Sequence, residues 1–257
     1  MLTPPEIARS LLAAGESKAR LPLGKMLLLA ILAGAYIALA GVGATAAAVT
    51  VESGSLAKLL SACVFPAGLS MVILAGSELF TGNCLMVMAL LERRITPAQL
   101  LCNWLTVYLG NAVGGAAVAA LAVYSHTASL FGDGLARSMV SIAESKAALG
   151  AGDAFLRGVL CNFLVCLAVW MAAASKRAEG KVIALFFPIL LFVLCGYEHC
   201  IANLYYLPAG AFAAAEYGME TTLTLAGCLK NLAAVTLGNL VGGAALGVGY
   251  RFAYLKE

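Results

Sequence analysis

Asn103-Trp-Leu-Thr-Val-Tyr-Leu-Gly-Asn-Ala-Val-Gly-Gly115 returns later in the chain as Asn231-Leu-Ala-Ala-Val-Thr-Leu-Gly-Asn-Leu-Val-Gly-Gly243. Eight of these 13 positions are identical, at an offset of 128 residues. A weaker echo links Gly76-Ser-Glu78 and Asn83 to Gly196-Tyr-Glu198 and Asn203, at an offset of 120. The chain therefore reads as two related halves, near 1–128 and 129–257. Gly114, Gly115, Gly242 and Gly243 have a packing explanation, because small residues let helices approach closely.

The sequence around these repeats is that of a membrane protein. Of its 257 residues, 62% are hydrophobic and 11% charged, with a mean hydropathy of +0.95. Soluble domains carry about 25% charged residues, and this chain could not cover a water-facing surface with so few. Its apolar runs also reach the roughly 20 residues needed to cross a hydrocarbon core about 30 Å thick. Six spans are expected: 26–49, 57–91, 97–124, 153–174, 182–207 and 222–250. They form a single transmembrane domain over 26–250, with repeats at about 26–124 and 153–250. Residues 1–25 read as an amphipathic surface segment leading into the first span, not as a signal peptide. Residues 251–257 form a short tail.

Each half holds three spans. An odd number turns the second half upside down, and inverted repeats of this kind build their site near the midplane, where interrupted helices meet. The expected fold class is thus all-α, with six transmembrane helices in two inverted three-helix repeats and the second and fifth helices broken.

Cation placement sets the orientation. With the N-terminus inside, inward segments hold 11 of the 16 Lys and Arg, among them Arg93, Arg94, Lys176, Arg177, Lys181, Arg251 and Lys256. Lys58, Arg137, Lys146, Arg157 and Lys230 are left outside or near the outer ends of the spans. Both termini are expected to be cytoplasmic. The net charge of +3 is too small and too scattered for nucleic-acid binding. The eight cysteines fall inside apolar segments and read as small packing groups. No CxxC pair marks a zinc site, and no cofactor is expected.

The interruptions carry the chemistry. Gly76-Ser-Glu-Leu-Phe-Thr-Gly-Asn83 places glycines, an acid, a hydroxyl and an amide at membrane depth. Cys195-Gly-Tyr-Glu-His-Cys200, followed by Asn203, does the same in the fifth span. Irregular backbone survives there only where it is buried or lines a cavity. Glu78 and Glu198 are read as structural caps for backbone amides at the breaks. His199 is read as functional, since an intramembrane ionisable group is a site candidate by default.

Six motifs, in order, resemble the formate/nitrite transporter family. They are Ala33-Gly-Ala-Tyr-Ile-Ala-Leu39, Ala75-Gly-Ser-Glu-Leu-Phe-Thr-Gly-Asn83, Asn103-Trp…Gly-Asn111, Cys161-Asn162…Val165-Cys-Leu-Ala-Val-Trp170, Gly196-Tyr-Glu-His199…Ala202-Asn203 and Val235-Thr-Leu-Gly-Asn-Leu-Val-Gly-Gly243. The resemblance implies an aquaporin-like protomer in a homopentamer, with one pore per protomer in a bacterial cytoplasmic (inner) membrane. It implies a pore histidine, His199, and a pore threonine, Thr81, with Asn162, Glu198 and Asn203 beside them. It implies apolar constrictions at Phe65 and Phe192 toward the outside, and at Leu69, Leu79, Phe80 and Val165 toward the inside. Lys146 matches a basic residue of the outer vestibule. The implied partners are membrane lipid, a proton and a small monovalent anion: formate first, with nitrite or hydrosulfide as alternatives. Cys200 stands where many relatives have serine, and Tyr197 where phenylalanine is common.

Two other classes are weighed. An aquaporin-type neutral-solute channel would show Asn-Pro-Ala at both breaks, and this sequence has none. An intramembrane enzyme could cast Ser77 and His199 as nucleophile and base, but no third orienting residue follows at a distinctive spacing.

Overall fold

The structure, a computed structural model, describes residues 1–255. Lys256, counted above among the inward cations, and the end of the 251–257 tail lie outside the described residues. Among the described residues the chain is all-helical, without strands.

An amphipathic helix α1 (Pro4–Ala19) precedes α2 (Leu23–Ala48). It starts at paired prolines, where the missing N–H groups cost nothing, and the Thr3 amide donates to Glu6 Oε2 at 2.7 Å. Helices α3 (Gly54–Val64) and α4 (Pro66–Ala75) run on from one another. After Gly76 the chain resumes as α5 (Phe80–Asn83), a 3₁₀ turn at Cys84–Met86, and α6 (Val87–Leu91). Then α7 (Pro97–Tyr124) opens on Thr96, whose hydroxyl accepts from the Gln99 amide at 3.2 Å.

The second half repeats this order: α8 (Gly134–Ala148), α9 (Ala151–Ala173), α10 (Ala178–Leu194), α11 (Cys200–Glu216) and α12 (Leu225–Tyr254). Helix α8 falls in the stretch between expected spans, where sequence reading placed no element. It corresponds to α1, so each structural unit begins one helix earlier than the expected repeat.

Five stretches are long and apolar enough to cross a membrane: Leu23–Ala48, Gly54–Ala75, Pro97–Tyr124, Ala151–Ala173 and Leu225–Tyr254. The expected fifth span is instead divided between α10 and α11, of 17 residues each. α11 runs nine residues beyond the expected end at 207.

The repeat motifs are packing devices. A Cβ on Gly114 of α7 would run into the Ile31 carbonyl of α2, and one on Gly242 of α12 into the Val159 carbonyl of α9. Backbones therefore touch at both crossings, as small residues permit. Between the halves, the hydroxyls of Tyr108 and Thr236 lie 3.1 Å apart. These two residues hold the same position in the two copies of the motif, so equivalent points of α7 and α12 meet each other.

Candidate functional site

Both interruptions are built by the same set of bonds. Helix α4 ends one residue before Gly76 (φ 76°), and α10 ends two residues before Gly196 (φ 69°). This left-handed backbone costs other residues about 1–2 kcal/mol. The Glu78 amide donates to the Leu29 carbonyl at 3.2 Å, and the Glu198 amide to the Arg157 carbonyl at 3.3 Å. Where the helices resume, Asn111 Oδ1 accepts from the Phe80 amide at 3.0 Å, and Asn239 Oδ1 from the Cys200 amide at 2.9 Å. Asn111 Nδ2 donates to the carbonyls of Ala30 (2.7 Å) and Glu78 (2.9 Å). Asn239 Nδ2 donates to those of Gly158 (2.8 Å) and Glu198 (2.9 Å).

The glutamates differ from expectation. They do not cap backbone amides; Asn111 and Asn239 do that. Glu78 accepts from Lys18 Nζ at 2.7 Å and from Asn83 Nδ2 at 2.7 Å. Glu198 accepts from Lys146 Nζ at 3.0 Å and from Asn203 Nδ2 at 2.7 Å. Each asparagine also donates to a second one, Asn83 to Asn103 at 2.9 Å and Asn203 to Asn231 at 2.8 Å. A buried carboxylate is tolerable when paired and hydrogen-bonded in this way. Asn103, Asn111, Asn231 and Asn239 are buried and lay inside the quoted motifs, but they carried no assigned role. Lys18, the partner of Glu78, was read only as part of an amphipathic segment.

Between the two interruptions the symmetry ends. The N-cap residue of α5 is Leu79, and that of α11 is His199. His199 Nδ1 accepts from the Ala202 amide at 3.1 Å, while Nε2 lies 3.0 Å from Thr81 Oγ1. A backbone N–H can only donate, so Nδ1 carries no proton and the neutral ring holds its proton on Nε2. Nε2–H therefore donates to Thr81 Oγ1. The Thr81 carbonyl in turn accepts from Asn162 Nδ2 at 3.2 Å and from Cys166 Sγ at 3.3 Å. Asn162 Nδ2 also donates to the Asn239 carbonyl at 2.7 Å, tying Thr81 to α12. Thr81, Asn162, His199 and Asn203 are all buried. Cys166 was read as an apolar filler, and nothing in its spacing separated it from one.

A cavity opens on each side of this pair. The larger, of about 700 Å³, is lined by His199, Phe65, Phe192, Tyr197, Tyr206, Lys146 and Glu198, and by three further cations. The rings of Phe65 and Phe192 meet edge-on at 5.6 Å, and Phe192 stacks over His199 at 5.8 Å. The smaller, of about 290 Å³, is lined by Leu69, Leu79, Lys18, Glu78 and Asn83. Phe80 and Val165 line neither. Phe80 packs its ring against Tyr108 and Trp104, at 5.1 and 6.4 Å. His199 lines the larger cavity, whereas Thr81, Asn162 and Asn203 line neither; Leu79 and Gly82, on either side of Phe80 and Thr81 in the chain, line the smaller. Among the described residues no cluster of side chains could hold a metal ion.

The Formate/nitrite transporter family model matches residues 5–253. A "Probable formate transporter" of Methanothermobacter thermautotrophicus is 38% identical, over 99% of this chain and 98% of its own. The "Formate channel FocA" of Haemophilus influenzae is 39% identical, over 86% of this chain and 83% of its own. Among solved structures, an "FNT family ion channel" superposes with a TM-score of 0.87 at 32% identity, covering 96% of this chain and 98% of the other. A "Pentameric formate channel with formate bound" gives 0.80 at 32%, covering 91% and 98%. The chain belongs to the formate/nitrite transporter family.

Proposed function

We propose that this protein is a membrane channel or transporter for a small monovalent anion, formate first, with the conducting path running between Thr81 and His199. The observation that carries this reading is the Nε2···Oγ1 contact of 3.0 Å between two buried side chains, with a cavity on either side. Two relatives named as formate transporters or channels, and a neighbour described with formate bound, support formate over nitrite or hydrosulfide. The pentamer named for that neighbour supports a homopentamer here. In the proposed topology the α1 side is cytoplasmic, as cation placement indicates. The halves are inverted repeats whose second and fifth spans are broken at 76–79 and 195–199. The transmembrane part is 26–250, in a bacterial cytoplasmic membrane.

The energetics constrain how an anion would pass. A bare charge at the bilayer centre costs from about 3 to more than 10 kcal/mol. Protonating a carboxylate of pKa about 3.5 at pH 7 costs roughly 5 kcal/mol. A site that offers hydrogen bonds to the charge lowers the first cost without incurring the second. His199 offers Nε2–H, and Thr81 offers its hydroxyl proton, which the histidine leaves unengaged. His199 also caps the N-terminus of α11, whose partial positive charge favours an anion at that point. Delivering a proton from the ring requires a second proton on it first, and that would remove the Ala202 bond. The geometry therefore favours passage as a strongly hydrogen-bonded anion, with proton transfer reserved for acid conditions that load the ring.

Competitive uptake of formate, nitrite, hydrosulfide, acetate and lactate into proteoliposomes at two pH values tests the reading. Formate is expected to enter fastest. Equal exclusion of all five overturns the function.

A further inference from the structure

The two cavities share a scaffold but not a charge. In the smaller one Lys18 faces Glu78 and the pair sums to zero. In the larger one Lys146 is likewise taken by Glu198, but Lys58, Arg137 and Arg157 line the same space. Among the described residues none of these three has a carboxylate within ion-pair distance. Glu198 is the one carboxylate among the described residues lining that cavity.

Two of the three cations do not belong to the common scaffold. The carbonyls of Leu29 and Arg157 accept the matching bonds from Glu78 and Glu198, so they are equivalent positions, and the half that faces the smaller cavity has leucine there. By the 120-residue offset of the breaks, Lys58 corresponds to Ala178. The third cation, Arg137, matches Arg9 at the 128-residue offset, but Arg9 does not line the smaller cavity. Three like charges around one cavity repel each other unless an anion sits among them. Steering a monovalent ion calls for attraction weak enough to release it again.

We propose that Lys58, Arg137 and Arg157 form a binding site for a compact dianion of the sulfate or hydrogen-phosphate kind at the mouth of the larger cavity. The bound dianion blocks monovalent flux from that side. This rests on the anion-channel reading above. The dianion stops there because the Phe65–Phe192 pair is apolar, and the desolvation cost rises steeply with charge.

The test is formate uptake by proteoliposomes with sulfate on the α8 side, compared with chloride at equal ionic strength. Sulfate is expected to block at about tenfold lower concentration than chloride, the factor that one extra unit charge gives beside a solvated cation pair. Sulfate on the α1 side should have no such effect. In Arg157→Leu, which installs the residue of the other half, and in the double variant with Lys58→Ala, the sulfate effect should fall to that of chloride. Equilibrium dialysis of labelled sulfate against detergent-solubilised protein should show binding to wild type and none to the double variant. Equal effects of sulfate and chloride on wild type, or sulfate binding undiminished in the double variant, overturn the site. Wild-type protein that passes no formate at all overturns the channel reading instead, and dialysis then still decides the site.

Discussion

The interruption at Gly76–Thr81 and the one at Gly196–Ile201 use the same parts, yet they present different residues to the space between them. Lysine, glutamate and two asparagines recur in both, with hydrogen bonds that match to within a few tenths of an ångström. Two of the differing positions matter to that space. Leu79 of the first half is replaced by His199 of the second, and Thr81 by Ile201. Repetition holds two chain breaks open in an apolar medium, and departure from repetition supplies the chemistry. The same division holds outward, where a neutral cavity of about 290 Å³ faces a cationic one of about 700 Å³.

The largest effect expected of any test of this equivalence comes from the capping asparagines. Asn111→Leu and Asn239→Leu each strand one buried amide and the break's own carbonyl, since the Ala30 and Gly158 carbonyls keep their bonds inside α2 and α9. At about 1–3 kcal/mol per stranded group, each should lose roughly 2–6 kcal/mol, read as a lower unfolding midpoint in detergent. A loss in only one half would break the comparison.

The carboxylates should sharpen it. The side chain of Lys146 is 14% exposed and that of Lys18 is 31% exposed. Stranding a buried charge costs about 3–5 kcal/mol, and a solvated one much less. Glu198→Gln should therefore destabilise more than Glu78→Gln in the same measurement. Smaller still, Gly76→Ala and Gly196→Ala should each cost about 1–2 kcal/mol. Neither added methyl meets another atom, so only the left-handed backbone is penalised, equally in both halves.

The smallest effect belongs to the second half alone. Glu144 of α8 accepts from the Thr222 amide at 2.7 Å and the Thr221 hydroxyl at 2.9 Å. The Thr222 bond, first, and the Thr221 bond hold this exposed carboxyl below its ordinary value of 4.5. A lowered carboxylate contributes stability above its unfolded value and loses it as pH falls through the folded one. Amide exchange at Thr222 should therefore speed up as pH falls below the ordinary carboxylate value and be insensitive to pH-driven opening near neutrality, once the intrinsic rate is removed. Glu144→Gln should remove the transition.

Much of this was legible in the sequence. The motif at Asn103–Gly115 and Asn231–Gly243 survives in both halves because helix contacts without a Cβ leave little freedom. The polar breaks were visible because such residues are rare at membrane depth. The Lys18–Lys146 correspondence was legible too but went unread: Ala8-Arg9-Ser10 and Glu16-Ser17-Lys18-Ala19 of α1 recur in α8 as Ala136-Arg137-Ser138 and Glu144-Ser145-Lys146-Ala147, outside the apolar runs that drew the reading. The meeting of Thr81 and His199 was hidden for a different reason. They are 118 positions apart and lie on non-equivalent steps of the two breaks, so no internal alignment pairs them. Family resemblance supplied that pairing in advance, and the hydrogen bonds supply its physical cause. The caps were misassigned because glutamate and asparagine both suit exposed amides, and only geometry shows which one reaches them.

The central claim is that His199, held as a donor at Nε2 by the Ala202 amide, lets the anion past the midplane. Formate uptake into proteoliposomes by His199→Asn, followed from pH 5 to pH 8, tests it most directly. The account predicts that the variant, which lacks a ring to load with a second proton, loses the pH dependence of wild type and changes its rate at neutral pH. Wild-type rate and wild-type pH dependence in His199→Asn would contradict it.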